Sequence, residues 1–188
     1  SEDEVRRTFE VNLFGVLSMT QAFLPLLRAS KGRIVNVSSI SGLIALPFFG
    51  PYAASKYALE AVSDSWRVEL RPWGIPVALV EPGVVDTPLV GKATSRLREM
   101  RESFPPEAHE LYGPVFGLAE KHQDRGIPVD RVAEAVEHAL FARRPKSRYV
   151  LGNGAKFLSI FRKLPTSFQD WMISRHLPSY GDGRHDFS

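Results

Sequence analysis

Short, near-continuously apolar runs alternate with amphipathic helical segments along this chain, and that alternation restricts the fold more than any other feature. Arg33-Ile34-Val35-Asn36-Val37, Val77-Ala78-Leu79-Val80 and Arg148-Tyr149-Val150-Leu151 are rich in β-branched residues and read as strands buried on both faces. Helical patterns separate them. Ser1-x-x-Glu4 is a capping box at a helix start, and Val5, Phe9, Leu13, Val16, Leu17, Thr20 and Leu24 follow at three- and four-residue steps until Lys31-Gly32. Tyr52–Arg71 carries Leu59, Val62, Trp66 and Leu70 on one face and ends at Pro72-Trp73-Gly74, and Val129–Ala142 is a third amphipathic helix. Strands joined through helices pair in parallel by right-handed crossovers. The expected fold class is therefore α/β, a doubly wound parallel sheet. Three strands are few for such a sheet and the chain begins on a helix, so a C-terminal portion of a larger α/β domain is expected.

One partial domain is expected over 1–188: a core at 1–83, an insertion at 84–127, a last helix, strand and C-terminal helix at 128–175, and a tail at 176–188. The insertion holds two short helical patches, about 88–101 and 107–123, around Pro105-Pro106 and Gly113-Pro114; Pro165 interrupts the C-terminal helix.

Composition excludes several classes. Cysteine is absent, which removes disulfide frameworks, zinc fingers and thiol nucleophiles. With 44% hydrophobic and 24% charged residues, the chain is neither disordered nor fibrous. The acidic start Ser1-Glu2-Asp3-Glu4 is not a signal peptide, and no uninterrupted apolar run reaches the roughly 20 residues of a membrane span. A cytoplasmic location is the expectation. The five histidines (109, 122, 138, 176 and 185) show no metal-ligand spacing, so no metal is expected. Net charge is +3, and the basic excess lies from Arg143 onward, where basic residues outnumber acidic ones nine to three. Such a tail suits anionic partners or a solvated surface.

The chemistry concentrates around Tyr52-Ala53-Ala54-Ser55-Lys56. Helical positions i and i+4 share a face, so the phenol and the ammonium project together. A cation beside a phenol favours phenolate and makes tyrosine a usable base near neutral pH. Upstream, the first strand delivers Ser38-Ser39 at its carboxyl end. Downstream, the second delivers Pro82-Gly83-Val84-Val85-Asp86-Thr87 to the same edge, where open α/β sheets bind ligands.

These residues resemble the short-chain dehydrogenases/reductases. The motifs are Val11-Asn12-Leu13-Phe14-Gly15, Ile34-Val35-Asn36-Val37-Ser38-Ser39, Tyr52-x-x-x-Lys56 and Pro82-Gly83-x-Val85-x-Thr87, and the resemblance runs from residue 1 to about 151, more loosely to about 175. It implies a Rossmann-like domain and a catalytic set of Asn12, Ser39, Tyr52 and Lys56. Tyr52 would exchange a proton with the substrate oxygen. Lys56 would tune it and hold the nicotinamide ribose. Ser39 would polarise the substrate carbonyl, and Asn12 would anchor a water linking Lys56 to solvent. Ser39 is chosen over Ser38 because it lies thirteen residues before the tyrosine, as in the family. With Tyr52 and Lys56, Pro82, Gly83, Val85 and Thr87 would bind the cofactor, NAD or NADP; Thr87 also suits the cap of a helix starting at Pro88. The activity implied is interconversion of an alcohol with a ketone or aldehyde. The residues at 84–127, including Leu89, Val90, Met100, Phe104, Leu111, Tyr112, Val115, Phe116 and Leu118, form an apolar lid suited to a hydrophobic substrate. The region from Ser147 to Ile173 loosely resembles the retinol and steroid dehydrogenase branch. A homodimer or tetramer through the first helix and Tyr52–Arg71 is implied, and no nucleic acid.

The family's Gly-rich cofactor fingerprint is not in the sequence. Gly152-x-Gly154 follows a strand, but Phe157 stands where a third small residue would allow close helix packing, so it reads as a turn. NAD and NADP therefore stay undistinguished, and the catalytic half of a longer enzyme is favoured over a truncated, inactive product. A non-catalytic binding or regulatory protein on the same fold is the alternative. Phe157, Leu158, Ile160, Phe161 and Leu164, beside Lys156, Arg162 and Lys163, suit a membrane surface, a substrate mouth or a subunit interface.

Overall fold

The computed structural model describes residues 1–88, 126–152 and 160–176, together with Phe157 and scattered positions between 95 and 112. They divide into two compact units, Ser1–Gly83 with Ile127–Arg162, and Val84–Gly126 with Lys163–Ser188.

In the first unit the opening helix has three parts: α1 (Glu2–Phe9), a π-helical turn (Glu10–Phe14) and α2 (Gly15–Ser30). The capping box forms as the sequence predicts, with the terminal amine of Ser1 donating to Glu4 Oε2 at 3.0 Å. Lys31 closes α2 in the left-handed conformation (φ 49°), and Gly32 N–H returns to Leu27 O at 2.9 Å. Strands β1 (Ile34–Val37), β2 (Val77–Pro82) and β3 (Arg148–Leu151) form one parallel sheet in the order β1-β2-β3. Ile34 lies opposite Val77 and Val37 opposite Val80; Leu79 lies opposite Arg148 and Pro82 opposite Leu151. Helices α3 (Gly50–Glu69) and α4 (Val129–Phe141) make the two crossovers.

The period-two alternation of the strands sorts their side chains between two layers. Ala78, Val80 and Tyr149 pack with Ala135 and Ala139 of α4. Ile34 and Val77 pack with Leu70 and Ile75, against Leu24, Leu27 and Trp66 of the other helical layer. Two polar anchors tie α4 down. Arg33 Nη1 donates to the carbonyls of Ala139 and Ala142 at 3.1 and 2.7 Å, capping the helix's negative end. Tyr149 Oη meets His138 Nδ1 at 2.8 Å and accepts from Lys146 N–H at 2.9 Å.

The sheet departs from expectation at its catalytic edge. β2 continues through Glu81 and Pro82, with Pro82 at the last position opposite Leu151, where a missing N–H is tolerated. Helix α3 begins earlier than Tyr52, at Gly50, since Pro51 is preset for a first turn. The opening helix also needs correction on one point. Over Glu2–Ser30 it is 29 residues long, with a mean hydropathy of 1.3 in its most apolar stretch, enough by length and composition to cross a membrane. None of that stretch is buried, and Leu24 and Leu27 are partly buried where they pack against Ile34, Leu70, Ile75 and Val77. Phe161, offered above for a membrane surface or substrate mouth, is 3% exposed and belongs to the interior; Phe157 and Ile160 are exposed at 51% and 64%.

In the second unit α5 (Thr166–His176) starts just after Pro165, whose carbonyl accepts from Phe168 and Gln169 N–H at 3.0 and 3.1 Å. Phe168 and Trp171 stack with ring centres 5.5 Å apart. Gly126 runs against Asp86: a Cβ there would meet Asp86 N at 2.7 Å. The two helical patches expected at 88–101 and 107–123, the Gly152-x-Gly154 turn beyond Gly152, and the tail lie mostly outside the described residues.

Candidate active site

Helix α3 presents Tyr52 in its first turn and Lys56 one turn later, on the same face. Their exposures differ. Tyr52 is 38% exposed, whereas Lys56 is 9% exposed, with its Nζ 5.8 Å from the phenol ring centre. Lys56 Nζ donates to Val37 O at 3.0 Å, which fastens the lysine to the carboxyl end of β1. Burial holds the Lys56 ammonium below the ordinary lysine range, and the Glu60 carboxylate, one turn further along α3, pulls it back up.

Asn12 reaches the same helix from the π-helical turn, which closes from Gly15 N–H to Glu10 O. Its Nδ2 donates to Ser55 Oγ at 3.0 Å, and Ser55 Oγ donates to Tyr52 O at 2.7 Å. Asn12 thus supports the tyrosine's backbone through Ser55. Ser55, fully buried, was not singled out in the sequence. Its position three residues after a helical tyrosine is the one signal available, since serine back-bonds to the preceding turn.

Ser39 caps the 3-10 turn Ile40–Gly42: its Oγ accepts from Ser41 N–H at 3.1 Å and donates to Pro82 O at 3.4 Å. It therefore serves as turn former and lies at the joint of β1 and β2, beside Pro82-Gly83. Ser38 takes the other direction: its N–H continues the ladder to Val80 O at 2.8 Å, and its Oγ is buried without a partner. Gly83 N–H donates to Leu151 O at 2.8 Å. The carboxyl ends of all three strands, the first two turns of α3 and the π-helical turn thus converge on one edge. Val85 and Thr87 belong to the second unit, where both are half-buried. Among the described residues, no group of three or more His, Asp or Glu could hold a metal ion.

The donor set fits a nicotinamide dinucleotide. A buried ammonium beside a half-exposed phenol offers hydrogen bonds to ribose hydroxyls, and the strand end carries Pro-Gly, where backbone can approach a flat ring. Residues 1–98 match the model of the short chain dehydrogenase family. The chain belongs to that family. It is 35% identical over 191 residues to short-chain dehydrogenase/reductase family 9C member 7 of Bos taurus, covering 97% of this chain and 61% of that one. It is 38% identical to the 17-beta-hydroxysteroid dehydrogenase type 6 of Homo sapiens, over 90% of this chain and 56% of the relative. Retinol dehydrogenase 16 of Homo sapiens matches at the same identity and coverage. These relatives put it in the retinol and steroid dehydrogenase branch. Among solved structures, a short chain dehydrogenase from Burkholderia cenocepacia J2315 in complex with NADP superposes with a TM-score of 0.66 at 26% identity, over 95% of this chain and 63% of that one. One from Streptomyces avermitilis gives 0.69 at 29% identity, over 95% and 65%. The chain spans about three fifths of the length of such relatives.

Proposed function

We propose that the protein carrying this chain is an NAD(P)-dependent oxidoreductase that interconverts an alcohol and a ketone or aldehyde on a hydrophobic substrate. The observation that carries this reading is the half-exposed Tyr52 phenol beside a buried Lys56 ammonium, at the carboxyl edge of a parallel sheet. The bound cofactor would supply or accept the hydride. The chain's residues handle the proton. In reduction, Tyr52 Oη gives its proton to the substrate oxygen; in oxidation it takes one back. Lys56, held by Val37 O, keeps positive charge beside the phenol and offers a donor to the nicotinamide ribose. Ser39, at the β1–β2 joint, would turn its hydroxyl from Pro82 O to the substrate oxygen. Asn12, through Ser55, keeps the first turn of α3 in place and would anchor the water linking Lys56 to solvent. Pro82 and Gly83, at the end of β2, would hold the nicotinamide. The similarity to retinol and steroid dehydrogenases supports an apolar substrate. Turnover of a panel of apolar alcohols and ketones, followed at the nicotinamide absorbance, tests this; reaction with polar sugars alone would overturn the substrate class.

Lys56→Ala is expected to damage both turnover and cofactor binding, because the ammonium serves phenol and ribose alike. A variant that lost turnover with an unchanged Kd for NAD(P)H would remove the ribose role. The proposal includes a homodimer or tetramer through the opening helix and α3. Val11, Phe14, Met19, Phe23 and Leu26 are 48–73% exposed on the helix side away from the sheet, and Tyr57 and Val68 are exposed on α3. Sedimentation of the full-length protein as a monomer at micromolar concentration would contradict this. A cytoplasmic location completes the proposal and is tested by cell fractionation.

A further inference from the structure

Two carboxyl groups meet behind the site, between α3 and the sheet. Glu81 is fully buried and Glu60 is 4% exposed. A single guanidinium nitrogen, Arg148 Nη1, donates to Glu60 Oε2 and to Glu81 Oε1, while Nη2 holds both oxygens of Asp64 at 2.7 and 2.8 Å. Asp64 is also paired with Arg67. The remaining oxygens, Glu60 Oε1 and Glu81 Oε2, are buried and accept no hydrogen bond among the described residues, while the other oxygen of each carboxyl shares the one nitrogen Arg148 Nη1. Three carboxylates thus face two guanidiniums. Two buried carboxylates that share one guanidinium nitrogen cannot both stay ionised cheaply, and one proton between them would satisfy both orphaned oxygens.

The pair sits where the parts of the site join. Glu60 lies one turn beyond Lys56, and Glu81 immediately precedes Pro82-Gly83. A Cβ on Gly42, in the turn capped by Ser39, would meet Glu60 Cγ at 2.9 Å and Glu60 Oε1 at 3.2 Å, so the glutamate packs directly under that turn.

We propose that Glu60 and Glu81 share one proton, between Glu60 Oε1 and Glu81 Oε2, and that this pair, clamped by Arg148, is a positioning element joining the Lys56 helix, the Ser39 turn and the Pro82-Gly83 strand end. The positioning role rests on the oxidoreductase reading above; the shared proton does not. The charged and titratable groups around the pair are Lys56, Tyr57, Asp64 and Arg67 from α3 and Arg148 from β3, and the Ser38–Gly42 loop adds only hydroxyls. Burial, and then the neighbouring Glu60 charge, push the Glu81 carboxyl up to about 7. The folded chain therefore holds this proton more tightly than the unfolded chain does. Stability contributed by the pair is present below the ordinary carboxylate range and is lost as pH rises through about 7.

The test uses the full-length protein and its Glu81→Gln and Glu60→Gln variants. The infrared spectrum of the wild type is expected to show a protonated-carboxyl band at about pH 5.5 that fades by about pH 8.5, and both variants are expected to lack it. Each glutamine amide can donate where the proton lay, so the variants should melt near the wild-type temperature at the acidic end and lose the wild type's fall in Tm with rising pH. In turnover, the profile of kcat/KM against pH should lose its break near 7 in both variants, whatever their limiting rates; a purely structural role would lower the rate and leave the break. A wild-type spectrum without a carboxyl band that these variants remove overturns the shared proton. If the band behaves as stated but the full-length protein turns over no substrate, the oxidoreductase reading fails and the proton stands.

Discussion

Tyr52→Phe in the full-length protein is expected to lower kcat by about 10²–10⁴-fold while NAD(P)H still binds. The substitution removes one oxygen and little else. The Tyr52 carbonyl that accepts from Ser55 Oγ is backbone and survives, as does the Asn12 bond to Ser55. The side chain is 38% exposed, so no buried polar group is orphaned and stability should change by less than about 1 kcal/mol. Lys56 keeps its bond to Val37 O and remains available to the ribose. Loss of the proton donor without loss of fold or cofactor is therefore the signature, read by comparing turnover, melting temperature and fluorescence titration on one preparation. Turnover within a few-fold of wild type would remove Tyr52 from the chemistry.

Arg148→Leu is expected to be the most destabilising single change in the sheet. Among the described residues it strips the only guanidinium on Glu60 and Glu81, side chains 6% and 0% exposed, and leaves Asp64 with Arg67 alone. Leaving buried carboxylates unpaired costs about 3–5 kcal/mol. That is a fall in Tm on the order of 10 °C for a domain of this size. The loss should deepen as pH rises through about 7, where the carboxyl pair gives up its proton and has no cation to meet the second charge. Arg148→Lys should recover only part, since a point charge cannot serve three carboxylates as a planar fork does. A fall of a degree or two, independent of pH, would mean that the cluster behaves as a solvated surface pair and has no clamping role.

The sheet was legible in sequence because its strands are short, β-branched and separated by helices with clear stripes; β3 was read to the residue, and the apolar stripe Val5–Leu24 faces inward as expected. The tyrosine, lysine and serine were legible because i,i+4 spacing and strand ends translate directly into position. The supports were not. The π-helical turn leaves the apolar period of the opening helix intact, so nothing marks it in sequence. Ser55 looks like an Ala-rich helix's ordinary small residue until Asn12, 43 positions away, finds it. Glu81 in Val80-Glu81-Pro82 reads as a polar strand end; only the register that sets Leu79 against Arg148 brings a guanidinium to it. Phe161 was misread because a local run of apolar and basic residues suits a surface, whereas tertiary packing buries that one ring.

Nicotinamide fluorescence titration of the full-length protein with NADH and with NADPH bears most directly on the central claim. Saturable binding of at least one, weakened in Lys56→Ala and retained in Tyr52→Phe, is the expected result, and the preferred nucleotide would then be known. No binding of either by a folded protein with Tyr52, Lys56, Ser39 and Asn12 intact would contradict the oxidoreductase account and favour a regulatory protein built on a dehydrogenase fold.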